Sequence, residues 1–224
     1  MTGGTINLCR RSVASLWRYP VKSMQGEELG STAVTQLGLL GDRAYALIDS
    51  TDGKAATAKN PRKWPTLLGF RATLMESPRP DAGVPQVRIA LPDETTVTSQ
   101  QGDVNQVLSR ALHRTVTLTP ARSGHAGTVT SEEYWPDMDG LDFRDTVTDF
   151  VLPEGAFHDC ATVHLLTTAT LDHLHQLYPQ GRFEVSRFRP NIVVAPSSGE
   201  QGFVENAWVG HTLAIGDSVR LSIT

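Results

Sequence analysis

The chain has 224 residues, 39% hydrophobic and 20% charged, with a formal net charge of −4. That length allows one large domain or two small ones with a real core, and the composition is that of an ordinary globular protein. The charge balance excludes a general basic field for nucleic acid or an acidic membrane, and no apolar run is long enough to span a bilayer. Met1 to Arg11 carries basic residues with no long apolar segment behind them, so the sequence predicts no secretory signal. Cys9 and Cys160 are too few for a disulfide framework, and the expected compartment is the reducing cytoplasm. The 19 glycines and 13 prolines are spread along the chain, which predicts many short strands joined by turns.

In chain order, Ser12 to Tyr19 alternates loosely and predicts an opening strand, broken by Pro20-Val21-Lys22-Ser23-Met24. Lys22 follows a strand end, where an ammonium either meets a ligand or sits in solvent. Glu27 to Thr35 predicts a second strand. Gln36 to Arg43 is a glycine-punctuated turn, and Ala44 to Asp49 an apolar strand with Arg43 at its mouth. Asp49 to Lys54 reads as a hairpin turn. Lys59, Arg62 and Lys63 surround Asn60-Pro61 in a basic loop that faces either phosphate or water.

Leu67 to Leu74, Gln86 to Leu91 and Thr95 to Ser99 predict strands. Val104, Val107, Leu108, Ala111 and Leu112 follow helical spacing, with Asp103 as the expected N-cap. Val116 and Leu118 share a face of the next strand. The turn-rich stretch from Pro120 to Gly127 suggests a boundary near residue 120, giving domains 1–120 and 121–224. Ser131 to Asp149 is dense in carboxylates, but glycine comes too early for an EF-hand and no glutamate closes the loop. It predicts a long acidic surface loop, of the kind that can cover a site.

His158 and Cys160 match no standard zinc spacing, and His173 and His175 diverge around a helix, so no metal ligand is nominated. Val163 to Thr167 predicts a strand that leads into a helix through Leu171, Leu174 and Leu177. Thr168 or Thr170 is the expected cap, and the helix N-terminus is a natural anion seat. In Ser186-Arg187-Phe188-Arg189-Pro190-Asn191, two guanidiniums flank Phe188 and would point the same way in an extended chain. Arginine forks suit phosphates and carboxylates, and Asn191 adds a neutral donor and acceptor. Ile192 to Val194 predicts a buried strand. Two strands around a Gly-Asp turn close the sequence.

Tyr19-Pro20-Val21-Lys22-Ser23, Gly41-Asp42-Arg43, His164-Leu165-Leu166-Thr167-Thr168, Arg187-Phe188-Arg189-Pro190-Asn191-Ile192 and Trp208-Val209-Gly210 occur in the order seen in MOSC-domain proteins. The N-terminal part resembles the β-barrel domain that precedes MOSC in the bacterial YcbX-like and mitochondrial amidoxime-reducing families. The resemblance implies a mainly β fold with a few helices (α+β), an N-terminal β-barrel domain followed by a MOSC β-barrel domain. It also implies a pterin molybdenum cofactor (molybdopterin) site between the two parts. Carried over, Lys22, Ser23, Arg43, Thr167, Thr168, Arg187, Arg189 and Asn191 are its binding residues. The family's molybdenum-ligating cysteine would lie beyond Thr224, and neither Cys9 nor Cys160 is assigned that role.

The implied activity is reduction of N-hydroxylated small molecules, with electrons from a separate protein because no iron–sulfur module is present. A non-catalytic module for a cofactor or another phosphorylated small molecule is the alternative. Cofactor sulfuration would need a pyridoxal-phosphate domain for which the chain has no room. A purely structural β protein predicts that Lys22, Arg43 and Arg189 do not converge.

Overall fold

The computed structural model describes residues 5–7, 11–121 and 129–224. Cys9 and most of the turn-rich stretch after Pro120 lie outside them. Strands account for 32% of the chain and helices for 15%, so the protein is mainly β with short helices. Among the described residues no helix is long and apolar enough to cross a membrane. The chain divides into a larger unit, residues 18–27 and 35–162, and a smaller one, residues 1–17, 28–34 and 163–224.

In the larger unit the apolar strand Tyr45–Asp49 pairs antiparallel with Val116–Pro120, Val116 facing Asp49 and Pro120 facing Tyr45. Arg71–Leu74, Val87–Ala90 and Thr96–Thr98 form an antiparallel three-stranded sheet. The helix Val104–Leu112 buries Val104, Leu108 and Leu112, one residue per turn of a single face. These elements close on a core that includes Val21, Met24, Leu47, Trp64, Leu67, Phe70, Ile89 and Leu108.

Four local expectations change. Leu67 to Leu74 opens as a 3-10 turn, Leu67–Gly69, and only Arg71–Leu74 is strand. Asp103 precedes the helix without capping it through its side chain, because its carboxylate accepts from Gln101 Nε2 at 2.7 Å. The second strand, predicted over Glu27 to Thr35, is reduced to Glu27–Leu29 and the short Val34–Thr35. The acidic stretch is a β-hairpin, Thr130–Trp135 against Thr146–Val151, with only its tip left as loop. Of the aspartates only Asp149 lies on the ladder, where Lys54 meets it at 2.6 Å; Asp137, Asp139, Asp142 and Asp145 stay in the exposed tip loop, where Arg62 meets Asp145 at 2.9 Å.

In the smaller unit Leu165–Thr167, Ile192–Ala195, Ser12–Arg18 and Glu27–Leu29 lie side by side in one sheet. Leu165–Thr167 runs parallel to Ile192–Ala195, which runs antiparallel to Ser12–Arg18 with a register shift between Val193 and Val194. A second sheet holds Thr5–Asn7, Thr212–Ile215 and Val219–Ser222. Ile192, Val194, Trp208 and Leu213 form a separate core. The arginine stretch is not extended: Val185–Phe188 is a short helix and Arg189 is its left-handed C-cap, φ 54°, ψ 45°. The two guanidiniums therefore lack the common direction that an extended chain would impose.

Candidate functional site

In the larger unit, two sequence-distant motifs lie against each other. Val21 and Tyr45 form a parallel bridge. Around it, Arg43 donates its N–H to Tyr19 O at 2.8 Å, Tyr45 to Pro20 O at 2.9 Å and Lys22 to Tyr45 O at 2.8 Å. Tyr19 to Ser23 and Gly41 to Arg43 are thus one structural element. Its pin is Asp42, whose carboxylate is fully buried. Asp42 Oδ1 accepts the Tyr19 N–H at 2.7 Å, and both its oxygens accept from Arg43 Nη1, at 2.6 and 2.8 Å. The Arg43 guanidinium also lies 4.6 Å from the Tyr19 ring centroid.

Lys22 is 3% exposed and forms an ion pair with Asp159. Burial pushes the Lys22 amine below its ordinary value; Asp159 pulls it back up, and the nearby Arg43 and Lys59 charges push it down again. Lys59 approaches the other Asp159 oxygen at 3.8 Å. Both amines face the Phe150 ring, at 5.9 Å for Lys22 and 5.1 Å for Lys59. Ser23 is buried, and its hydroxyl accepts the Ala58 N–H at 3.0 Å. His158 is also buried, and Nε2 donates to Leu37 O at 2.9 Å, which leaves Nδ1 as the acceptor. Burial lowers its basicity against the partial opposition of Asp42, and the neighbouring cations lower it further, so the imidazole is neutral at pH 7.

Backbone strain marks the same residues. Six non-glycine residues among those described have positive φ, and three of them are Ser23 (63°), Arg43 (50°) and Arg189 (54°). A side chain in that region costs on the order of 1 kcal/mol, and such residues cluster where function over-determines the backbone. Half of the strained positions therefore coincide with residues nominated from sequence.

The smaller unit treats its nominated residues differently. Thr167 is fully buried and caps the helix Thr168–Leu177, its hydroxyl accepting the Thr170 N–H at 3.1 Å. The cap is Thr167 rather than Thr168 or Thr170. Glu205 fills the expected anion seat: its carboxylate accepts from the Thr167 hydroxyl at 2.8 Å and the Thr170 hydroxyl at 2.7 Å. Asn191 is buried, accepts the His164 N–H at 3.1 Å and donates to Trp17 O at 3.2 Å, tying three strands' ends together. Arg187 is exposed and bonds Glu184 at 3.1 Å. Thr168 and Arg189 are half-buried.

The larger unit therefore unites Lys22, Ser23 and Arg43 and adds Lys59, Asp159 and Phe150, which the sequence did not nominate. Lys59 carried the one available signal, a basic residue beside Asn60-Pro61. Amines, a guanidinium and a hydroxyl suit anionic oxygens such as those of a phosphate, and so fit the phosphate-bearing part of a cofactor. Among the described residues no three His, Cys, Asp or Glu side chains are grouped to hold a metal ion.

Comparison with known proteins gives the family. The family model for the MOSC N-terminal beta barrel domain matches residues 10–123, and that for the MOSC domain matches residues 153–224. Over 232 aligned positions the chain is 27% identical to mitochondrial amidoxime reducing component 2 of Rattus norvegicus, covering 92% of this chain and 61% of that protein. The chain thus spans about three fifths of that relative's length, at 61%. With the two domain models matched in order over residues 10–123 and 153–224, the chain belongs to the MOSC family, a family associated with the molybdenum cofactor.

Proposed function

We propose that the protein is a molybdenum-cofactor-binding oxidoreductase that reduces N-hydroxylated small molecules with electrons from a separate donor protein. The convergence of Lys22, Ser23 and Arg43 on one strained element carries the reading, because a phosphate-bearing ligand needs fixed positive donors of that kind. Family membership and the amidoxime-reducing relative support the reaction class. When bound, the cofactor supplies two-electron chemistry, and the net change is N–OH plus two electrons and two protons giving N–H and water.

The chain's own residues do the holding. Lys22 and Arg43 present charge from a backbone that Asp42 keeps rigid. Ser23 fixes the start of the Lys59 loop through Ala58. In the smaller unit, taken by itself, Thr168, Arg187 and Arg189 are proposed as anion contacts, with Thr167 and Asn191 fixing that unit's backbone. Neutral His158 holds its segment through Leu37 and leaves the cluster's positive charge to Lys22, Lys59 and Arg43.

The test is to load the purified chain with molybdenum cofactor, remove excess, and measure retained molybdenum and pterin. Retention that falls at least ten-fold in Arg43→Met supports the reading. No retained pterin in the unaltered chain sinks it. Retained pterin with no N-hydroxyl reduction, even when a reductant and a longer chain are supplied, transfers the assignment to a non-catalytic binding module.

A further inference from the structure

Lys22 and Lys59 come from separate segments, yet their amines share one carboxylate and one aromatic wall. Asp159 Oδ1 pairs with Lys22, while Oδ2 lies 3.8 Å from Lys59. Phe150 backs both amines. The two lysines are also set by one backbone junction, since Ser23, directly after Lys22, accepts the N–H of Ala58, directly before Lys59. Asn60, directly after Lys59, is buried and donates to Glu132 at 2.9 Å. Glu133 takes the outer side of Lys59 at 3.2 Å.

The carboxylate is held less firmly than the amine it faces. Side-chain exposure is 3% for Lys22 and 28% for Asp159. Asp159 lies outside any helix or strand. Its segment is attached just before it, through Phe157 N–H to Arg43 O at 2.9 Å and through His158 to Leu37 O. The next attachment is the approach of Thr162 O to Gly38, so close that a Cβ there would come within 2.2 Å of it. Asp159, Cys160 and Ala161 bridge these two anchors, and Cys160 and Ala161 are exposed.

We propose that Lys22 and Lys59 form a two-amine anion seat, and that Asp159 is its resident counter-anion, displaced when the phosphate group of a ligand is taken up. The inference rests on the reading of this unit as holder of a phosphate-bearing ligand, and adds Lys59 as a second ligand-holding amine. Two carboxylate oxygens spanning two amines occupy the positions that two phosphate oxygens would take. A carboxylate already in contact with water leaves with little change in hydration. Lys22 left without a counter-charge in its buried site would be strongly destabilised. Asp159 therefore departs only in exchange for another anion, which makes the seat selective for ligands that deliver negative charge. A carboxylate that only neutralised Lys22 would need no second amine across from it.

The experiment is calorimetric titration of the purified chain with inorganic phosphate and with pyrophosphate at constant ionic strength. Asp159→Asn and Asp159→Ser are expected to bind phosphate at least ten-fold tighter than the unaltered chain, and Lys59→Met at least ten-fold weaker. Unchanged or weaker binding in both Asp159 variants overturns the inference, as does unchanged binding in Lys59→Met. If neither Asp159 variant folds, the unaltered chain decides by NMR: saturable shifts of the Asp159 carboxylate and Lys22 amine signals with phosphate support displacement, and their absence refutes it. A chain that retains no pterin yet shows the Asp159 effect loses the oxidoreductase reading alone. A chain that retains pterin without that effect loses the counter-anion alone.

Discussion

Replacing Asp42 with Asn tests whether the join between the two motifs is electrostatic. Asp42 is fully buried in its side chain, and Arg43 is 13% exposed. The carboxylate accepts from Tyr19 N at 2.7 Å and from Arg43 Nη1 at 2.6 and 2.8 Å. An Asn can keep one oxygen on these donors, but its NH2 then meets the Arg43 Nη1 donor. One charge-assisted bond is lost, worth about 1.5–3 kcal/mol, and a nearly buried guanidinium loses its counter-charge. Breaking such pairs costs about 3–5 kcal/mol, and the Tyr19 ring under Arg43 retains roughly 1 kcal/mol of that. The expected loss is about 3 kcal/mol. With a urea slope of about 2 kcal/mol/M the unfolding midpoint of the larger unit falls by roughly 1.5 M. Amide exchange at Arg43 and Tyr45, whose N–H groups close the join, should speed up about a hundred-fold. Adding Arg43→Met to the Asn variant removes the uncompensated charge and should recover about 1 kcal/mol or more. A single variant within 1 kcal/mol of the parent, or a double variant no better than the single, would refute the reasoning.

Two further expectations concern stability. Asp49 is fully buried; burial raises its pKa, but hydrogen bonds from Thr51, Lys63 and Arg114 outweigh that and hold it below the ordinary 3.8. Because the folded value lies below the unfolded one, its contribution is complete above about pH 4 and disappears as pH falls through the folded value. Asp49→Asn should cost about 2 kcal/mol at pH 7, less than a fully buried pair because Arg114 is 33% exposed. It should also flatten the acid limb of stability measured in urea between pH 7 and 3; parallel acid limbs would contradict the linkage. His113 ends the helix Val104–Leu112 in the left-handed region, φ 53°, where glycine carries no Cβ penalty. His113→Gly should raise stability by about 1 kcal/mol and the midpoint of thermal unfolding by roughly 2–4 °C; a fall in that midpoint would show that the imidazole matters more than the backbone.

Where local pattern and tertiary demand coincide, the sequence was legible. The spacing of Val104, Leu108 and Leu112 predicts a helix whose face is buried as expected, and the apolar run before Asp49 predicts the strand Tyr45–Asp49. Lys22 and Arg43 were nominated by the family resemblance, their places beside strands having left solvent as an alternative for Lys22, and they do meet in the larger unit. The family resemblance, carried by five short motifs in order, agrees with both family models. Reading failed where a residue's partner lies far along the chain. Arg187 and Arg189 looked like a fork because extended chain was assumed, yet a single helical turn at Val185–Phe188 redirects them. The aspartates after Ser131 are exposed as expected, but the stretch that holds them looked like loop throughout because the pairing of Thr130–Trp135 with Thr146–Val151 is made across the intervening tip.

Composition, periodicity and motif order by themselves determined a mainly β protein of the MOSC family and nominated its basic residues, since these depend on local pattern and on which residues are present. Only the tertiary structure decided how they are used. It showed that Asp42 is spent on the backbone join, that Glu205 already fills the helix N-terminus, and that Asp159 lies between Lys22 and Lys59. Counter-ions are chosen by proximity and burial, and neither is written in the spacing of residues along a chain.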